Sequence, residues 1–291
     1  MTVTEAQLEL ETVGFDAELR AALAGLGGAL EAARVAIAYG ESYIVWTAHG
    51  PRTGILTGQR IRDWCGVPER PQVGDWVAGT YSQSADAWII EHVLPRRTCL
   101  VRMAAGLQVR AQVLAANVDV VGIVSALGEG GPAVQRRLIN EGRLQRYLAA
   151  VEQSGAEPLL IVNKIDLGDG SEAIRELFGE LCPGVSAVFT NATEPNGLQS
   201  LHSWLRPSKT LGLIGPSGVG KSTIVNSLVK REAQRTGSIR AADARGRHTT
   251  THRELFQLES GALVIDMPGT REFAVWGGQE KVEHARGQRR S

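Results

Sequence analysis

Short runs of branched and aromatic residues fill the first third of the chain: Val35–Ala38, Tyr43–Trp46, Gly54–Leu56, Asp75–Thr80 and Trp88–Val93. Gly40, Gly50-Pro51, Gly58, Pro71 and Gly74 punctuate them. Closely spaced short strands between Gly and Pro breaks predict a small β-barrel or sandwich. Five strands of this size suit an OB-type barrel, a frequent binder of oligonucleotides, although small barrels bind many other things. Ahead of them, the Leu- and Ala-rich stretch Glu18–Leu30 reads as helical, broken by Gly25, Gly27 and Gly28. From about Val113 the rhythm changes. Val118–Val124 is a continuous apolar run, expected of a strand covered on both faces. Leu138, Leu144, Tyr147, Leu148 and Val151 then place an apolar stripe on a helix over Arg137–Ser154. Strand Leu159–Val162, helix Ser171–Leu181, strand Val185–Phe189, helix Leu198–Leu205, strand Leu211–Ile214, helix Lys221–Val229 and strand Ala262–Asp266 follow. Strands alternating with helices predict a mostly parallel α/β sheet with helices on both faces. The expected organisation is a helical extension over 1–33, an OB-fold barrel over 34–100, an α/β domain over 101–276 and a tail over 277–291.

Composition narrows the function classes. The 291 residues are 43% hydrophobic and 21% charged, the balance of a globular chain with a sizeable core. Lys plus Arg and Asp plus Glu both number 31, which excludes a globally basic nucleic-acid coat but not a local basic face. Cys65, Cys99 and Cys182 are far apart and form no Cys-x-x-Cys pair, so neither a disulfide framework nor a zinc ribbon is expected. Met1–Glu11 is polar and acidic, unlike a secretory leader. Nowhere are there the roughly 18 consecutive apolar residues of a membrane span. The expectation is a cytoplasmic, monomeric protein that does not enter a membrane.

Gly215-Pro216-Ser217-Gly218-Val219-Gly220-Lys221-Ser222 is a full G-x-x-x-x-G-K-[ST] motif, entered by an apolar strand and left by a helix. Its glycines let backbone N–H groups close around phosphate oxygens, and the helix start adds its positive dipole end. Lys221 is expected to reach the β- and γ-phosphates, Ser222 to ligate Mg²⁺, and Thr223 to complete the phosphate contacts. Asn163-Lys164-Ile165-Asp166 directly follows strand Leu159–Val162, at the end of a parallel strand where ligands bind. Asp166 can accept from the N1–H and the exocyclic amine of guanine, neither of which adenine offers. Two such charge-assisted bonds at about 1.5–3 kcal/mol each separate the bases by at least about two orders of magnitude. Lys164 would lie along the base face, and Asn163 would brace the loop and approach the purine edge. Taken alone, Asn-Lys-x-Asp is also an ordinary solvated turn; its place beside a phosphate loop favours the base-reading role. Asp266-Met267-Pro268-Gly269 ends another strand. There Asp266 would hold Mg²⁺ and the Gly269 N–H a γ-phosphate oxygen. In His248-Thr249-Thr250-Thr251, Thr250 would complete the Mg²⁺ shell only while the γ-phosphate is present.

The order of these motifs is unusual, because Asn163–Asp166 precedes the phosphate loop instead of following it. The same sheet with its chain start moved gives this order, since domain termini lie at the surface and often close together. The expected fold is therefore a circularly permuted P-loop GTPase domain preceded by an OB-type barrel. The sequence resembles the ribosome small-subunit-dependent GTPases. Matching stretches are Val73-Gly74-Asp75-Trp76-Val77, Leu94-Pro95-Arg96-Arg97, Ala115-Ala116-Asn117-Val118-Asp119 and Arg146-Tyr147-Leu148. The three nucleotide motifs join them, with Gly246-Arg247-His248-Thr249-Thr250-Thr251 and Asp266-Met267-Pro268-Gly269-Thr270-Arg271-Glu272.

The resemblance implies a GTP-hydrolysing factor of late small-subunit maturation, with GTP as substrate, GDP as product and Mg²⁺ as cofactor. Its partners would be the small ribosomal subunit and its ribosomal RNA, which the barrel would contact. Lys221, Thr250 and His248 are the candidate catalytic residues, with His248 positioning the attacking water by resemblance and by chemistry. Thr270 stands where many GTPases carry a water-orienting Gln and is too short to reach in the same way, so slow unassisted turnover is expected. His49, His92, His202, His252 and His284 show no ligand spacing. The family also has a C-terminal zinc domain, whereas the polar, basic tail Gly277–Ser291 contains no cysteine. It is expected to be disordered, and no zinc is expected. An alternative reading is a GTP- or GDP-dependent RNA-binding module with little hydrolysis.

Overall fold

The structure is a computed structural model that describes residues 8–64, 70–104, 110–131, 133–135, 139–168, 172–236 and 253–267. A 3₁₀ turn, Leu10–Val13, leads into α1, Ala17–Leu26. Asp16 caps α1 by accepting from the Leu19 N–H, and Gly27 ends it, ahead of the expected stop at Leu30. Five strands follow: β1 Glu31–Tyr39, β2 Ser42–Thr47, β3 Gly50–Leu56, β4 Trp76–Ser82 and β5 Ala87–Val93. β1 begins at Glu31, ahead of the barrel start expected at residue 34. Ala32, Ala33 and Arg34 are all buried, yet two small side chains and a charged one carry no strand signal.

β1 pairs with β2 and β4, β2 with β3, β3 with β5 and β5 with β4, which closes the ring. Only β3–β5 is parallel. A short helix between β3 and β4, α2 Gly58–Asp63, is capped by the Thr57 hydroxyl and was not legible as a periodic pattern. This is an OB-type barrel. Val35, Tyr43, Val45, Leu56, Val77, Trp88 and Ile90 fill it.

An antiparallel hairpin, β6 Cys99–Ala104 and β7 Arg110–Ala116, stands between the barrel and the second unit. The apolar spacing around it did not announce it. The second unit comprises β8 Val120–Ala126, α3 Glu141–Ser154, β9 Glu157–Asn163, α4 Glu172–Leu181, β10 Ser186–Phe189, β11 Thr210–Ile214, α5 Lys221–Thr236, β12 Glu254–Gln257 and β13 Leu263–Asp266. Its strand order is β10-β9-β8-β11-β13-β12, parallel except for β12. α3 starts later than the expected Arg137, because the Asn140 carboxamide caps it by accepting from the Arg143 N–H at 2.8 Å. The helix expected over Leu198–Leu205 is a 3₁₀ stretch, Gln199–Trp204, with no side-chain cap and i→i+3 bonds such as Leu201 N–H to Leu198 O.

One sheet face packs with α3, α4, the hairpin and the N-terminal segment. The other packs with Ile224, Val225 and Leu228 of α5 and with Leu201 and Leu205. Barrel and sheet meet along β1 and β12, where Ile37 pairs with Glu254. Among the described residues no helix is long and apolar enough to cross a membrane.

Candidate functional site

β11 lies in the middle of the parallel sheet, so its carboxyl end opens onto the site edge between β8 and β13. The chain turns there through Gly215 at φ +143°, where an added Cβ would stand 2.4 Å from the Val124 carbonyl oxygen. Only glycine allows that approach. Ser217, Gly218, Ser222 and Thr223 are exposed, Pro216 and Gly220 half-buried, and Val219 and Lys221 buried. Lys221 opens α5 and folds back over the loop, its Nζ donating to Gly215 O and Pro216 O at 2.8 Å each. Burial pushes its ammonium below the ordinary lysine range, and the Asp266 carboxylate opposes that shift. Asp266, at the end of β13, is itself buried.

Asn163 ends β9 two strands away, and its carboxamide reaches across to the loop. Nδ2 donates to Val219 O at 2.9 Å, while Oδ1 accepts from Thr190 Oγ1 at 3.1 Å and the Ala192 N–H at 3.2 Å. Gly220 lies so close that a Cβ there would stand 2.3 Å from Asn163 Nδ2, and its φ of +99° is itself a glycine conformation. After Asn163 the chain turns sharply: Lys164 is left-handed at φ +59°, and Ile165–Leu167 forms one 3₁₀ turn. Lys164 and Ile165 are half-buried and Asp166 is exposed.

Thr190, Asn191 and Ala192, at the end of β10, were not singled out in the sequence. Thr190 and Ala192 complete the grip on Asn163, Asn191 Oδ1 accepts from the Thr193 hydroxyl at 2.7 Å, and Ser227 of α5 donates to Ala192 O at 2.8 Å. The available signal was a polar cluster at the end of a parallel strand. His248, Thr250 and Gly269, with Thr249, Thr251 and Thr270, lie outside the described residues. Ser222 at the first turn of α5 and Asp266 at the end of β13 are hard oxygen donors, which suits Mg²⁺. Among the described residues no cluster of three His, Cys, Asp or Glu side chains is arranged to hold a metal.

The matching stretches outside the nucleotide motifs have structural work. Arg96 holds Asp75 in a buried bidentate pair, Nε to Oδ1 at 2.7 Å and Nη2 to Oδ2 at 2.6 Å. Asn117 joins the barrel to the junction: Nδ2 donates to Gly74 O at 3.1 Å and Oδ1 accepts from the Arg97 N–H at 3.0 Å. Asp119 accepts from Lys209 Nζ at 2.8 Å and the Thr210 N–H at 2.9 Å, at the start of β11.

A phosphate loop welded to an Asn-Lys-x-Asp segment, with β8, β9 and β10 preceding the loop strand β11, defines a circularly permuted P-loop GTPase domain behind an OB-type barrel. A model of the RsgA GTPase family matches residues 93–276, and the chain belongs to that family. A protein of Oceanobacillus iheyensis named small ribosomal subunit biogenesis GTPase RsgA 1 is 39% identical over 244 residues, covering 84% of this chain and 67% of that protein. A namesake without the numeral, from Syntrophotalea carbinolica, is 42% identical over 261 residues, covering 87% and 69%. Another, from Methanosarcina acetivorans, is 39% identical over 219 residues, covering 75% and only 57%. The chain thus spans between 57% and 69% of the length of these relatives. Two crystal structures share the fold. YjeQ from Thermotoga maritima superposes with TM-score 0.60 at 23% identity, over 84% of this chain and 77% of that one. YloQ, described as a circularly permuted GTPase, superposes with TM-score 0.55 at 20% identity, over 84% and 73%.

Proposed function

We propose that this chain binds GTP at the carboxyl ends of β9 and β11 and hydrolyses it as a cytoplasmic, monomeric factor on the maturing small ribosomal subunit and its ribosomal RNA. The observation that carries the nucleotide reading is the bond from Asn163 Nδ2 to Val219 O. It ties base reader and phosphate loop into one unit, which supports their acting on one nucleotide. The relatives' shared name supports the ribosomal partner.

In this reading Asp166 accepts from the guanine N1–H and amine, Lys164 and Ile165 flank the base, and Asn163 holds the loop. Backbone N–H groups of Gly215–Thr223 surround the phosphates, and Lys221 turns from its two carbonyls to the β- and γ-oxygens. When bound, Mg²⁺ offsets the charge that develops on those oxygens. Ser222, Asp266 and Thr250 are the residues that would hold it. Gly269 donates its N–H to the γ-phosphate, and His248 orients the attacking water. Thr270 lacks the reach of a glutamine, so the unassisted rate is slow and the ribosomal partner raises it.

GTP turnover by the purified chain, alone, with small subunits and with large subunits, tests this. Stimulation by small subunits only, of at least about tenfold, is expected. Tight GTP binding without turnover in any condition would overturn hydrolysis and favour a nucleotide-dependent RNA-binding module.

A further inference from the structure

The loop after β8 is not part of any nucleotide motif. Gly128, Gly130 and Gly131 give it little intrinsic preference for one conformation, and ordering such a segment costs entropy. One side chain orders it. Gln135 is fully buried, and its whole carboxamide is engaged: Oε1 accepts from the Gly128 N–H at 3.0 Å, and Nε2 donates to Gly128 O at 2.7 Å and to Gly130 O at 2.8 Å. The Gln135 N–H itself donates to Gly131 O at 3.1 Å, which completes the closure.

The closed loop starts at Leu127, which touches the guanine-reading segment at both ends. The Leu127 N–H donates to Asn163 O at 3.0 Å. Its side chain packs on Gly168 so tightly that a Cβ there would stand 2.6 Å from Leu127 Cδ1. Lys164, Ile165 and Asp166 lie between these two contacts. Asp166 is exposed, and the turn's own ties are the Ile165 N–H to Thr190 O at a long 3.3 Å, the Leu167 N–H to Lys164 O at 3.1 Å and the half-buried Ile165 side chain against the core.

We propose that Gln135 is a positioning residue for guanine recognition: by closing the loop over 128–131 it holds Leu127 against Asn163 and Gly168, and so fixes where the Asp166 carboxylate stands. The inference rests on reading Asn163–Asp166 as the guanine site. Glutamine suits the task because one planar group supplies an acceptor and two donors. Glutamate has the same shape but would set an oxygen against the Gly128 and Gly130 carbonyls, and methionine keeps the volume without hydrogen bonds.

The test compares GDP with inosine diphosphate, which has the same sugar and phosphates but lacks the guanine amine. Dissociation constants for both are measured on the full chain and on Gln135→Glu, Gln135→Met and Asp166→Asn. The wild type should prefer GDP by about tenfold or more, and Asp166→Asn should lose that preference. Both Gln135 variants should weaken GDP by about tenfold and inosine diphosphate distinctly less, narrowing the ratio towards one. Equal weakening of both ligands, or an unchanged ratio, would overturn the positioning role while leaving the guanine site standing. A wild type that shows no preference, or an Asp166→Asn variant that keeps it, would remove the guanine reading and this inference with it. Should neither Gln135 variant fold, Leu127→Ala breaks the packing on Gly168 from the other side and must narrow the same ratio.

Discussion

Lys221 is buried with its ammonium donating to two loop carbonyls, and the Asp266 carboxylate opposes the cost of burying that charge. Phosphate oxygens are better partners for it than neutral carbonyls, because both sides of the bond are then charged. Lys221→Ala should weaken GTP by about ten- to a hundredfold, the loss of one charge-assisted contact, as read by titration calorimetry. Cys99 makes a second prediction at this scale. Burial pushes its thiol up to about 11, with the neighbouring Arg96 opposing and Asp75 adding to the shift. A folded-state pKa above the unfolded value of about 8.5 gives stability that is fully present below the unfolded value and is lost as pH rises through the folded one. Relative to Cys99→Ala, the wild type should therefore lose ground in urea denaturation between pH 8 and pH 10. An equal slope for both proteins would contradict this.

Among elements, the contact between the phosphate loop and the end of β9 is the most constrained. Gly220→Ala would set a methyl 2.3 Å from Asn163 Nδ2 and force alanine to φ +99°. The bond from Asn163 to Val219 O cannot survive that displacement, and the strain is on the order of 1–3 kcal/mol. GDP and GTP binding should fall together by at least about tenfold. Because the barrel has its own core, a background in which Trp88 is the one remaining tryptophan should keep its native emission when Gly220→Ala is added. β8, β9, α3, α4, β11 and β13 were legible from apolar runs and stripes. The β6–β7 hairpin, α2 and β12 were not, since each is short and takes its stability from neighbours distant in sequence rather than from its own periodicity.

For the molecule as a whole, Arg34 is the meeting point. From β1 of the barrel its guanidinium donates to Val13 O of the N-terminal turn, to Asn117 O of the junction at 3.2 Å and to Thr210 Oγ1 of the phosphate-loop strand at 2.8 Å. It also stands 5.6 Å over the Trp76 ring. Burial lowers its pKa to about 10, which still leaves it charged at neutral pH, and Asp119 is the first group to oppose that shift. Arg34→Met would leave three buried acceptors without this donor, each worth about 1–3 kcal/mol at most. Urea denaturation should show a loss of about 3–5 kcal/mol, less than the sum because the three acceptors share one site. Arg34→Lys should recover only part of it, since an ammonium lacks the planar fork that reaches all three partners. The N-terminal segment reinforces the joint: Ser208 Oγ lies 2.9 Å from Glu11 O, Leu8 N–H donates to Ala48 O at 3.0 Å, and Arg97 pairs with Asp16.

Residues that act through neighbours in the chain were determined by the sequence alone. The phosphate loop and the Asn-Lys-x-Asp turn follow from spacing, composition and glycine positions within a few residues of one another, and the order of the two motifs along the chain gives the permutation. What the tertiary structure decided is which polar residues would be buried and against what. Arg34, Gln135 and Thr190 carry no local pattern that marks them as buried, yet each is buried. The partner of Asn163 on the phosphate loop is 56 positions away, and that of Arg34 on β11 is 176 away. The physical reason is that burying a polar group is unfavourable until its hydrogen bonds are made. Those bonds come from elements that only folding brings together, so local pattern can locate a motif but cannot name the side chains that hold it in place.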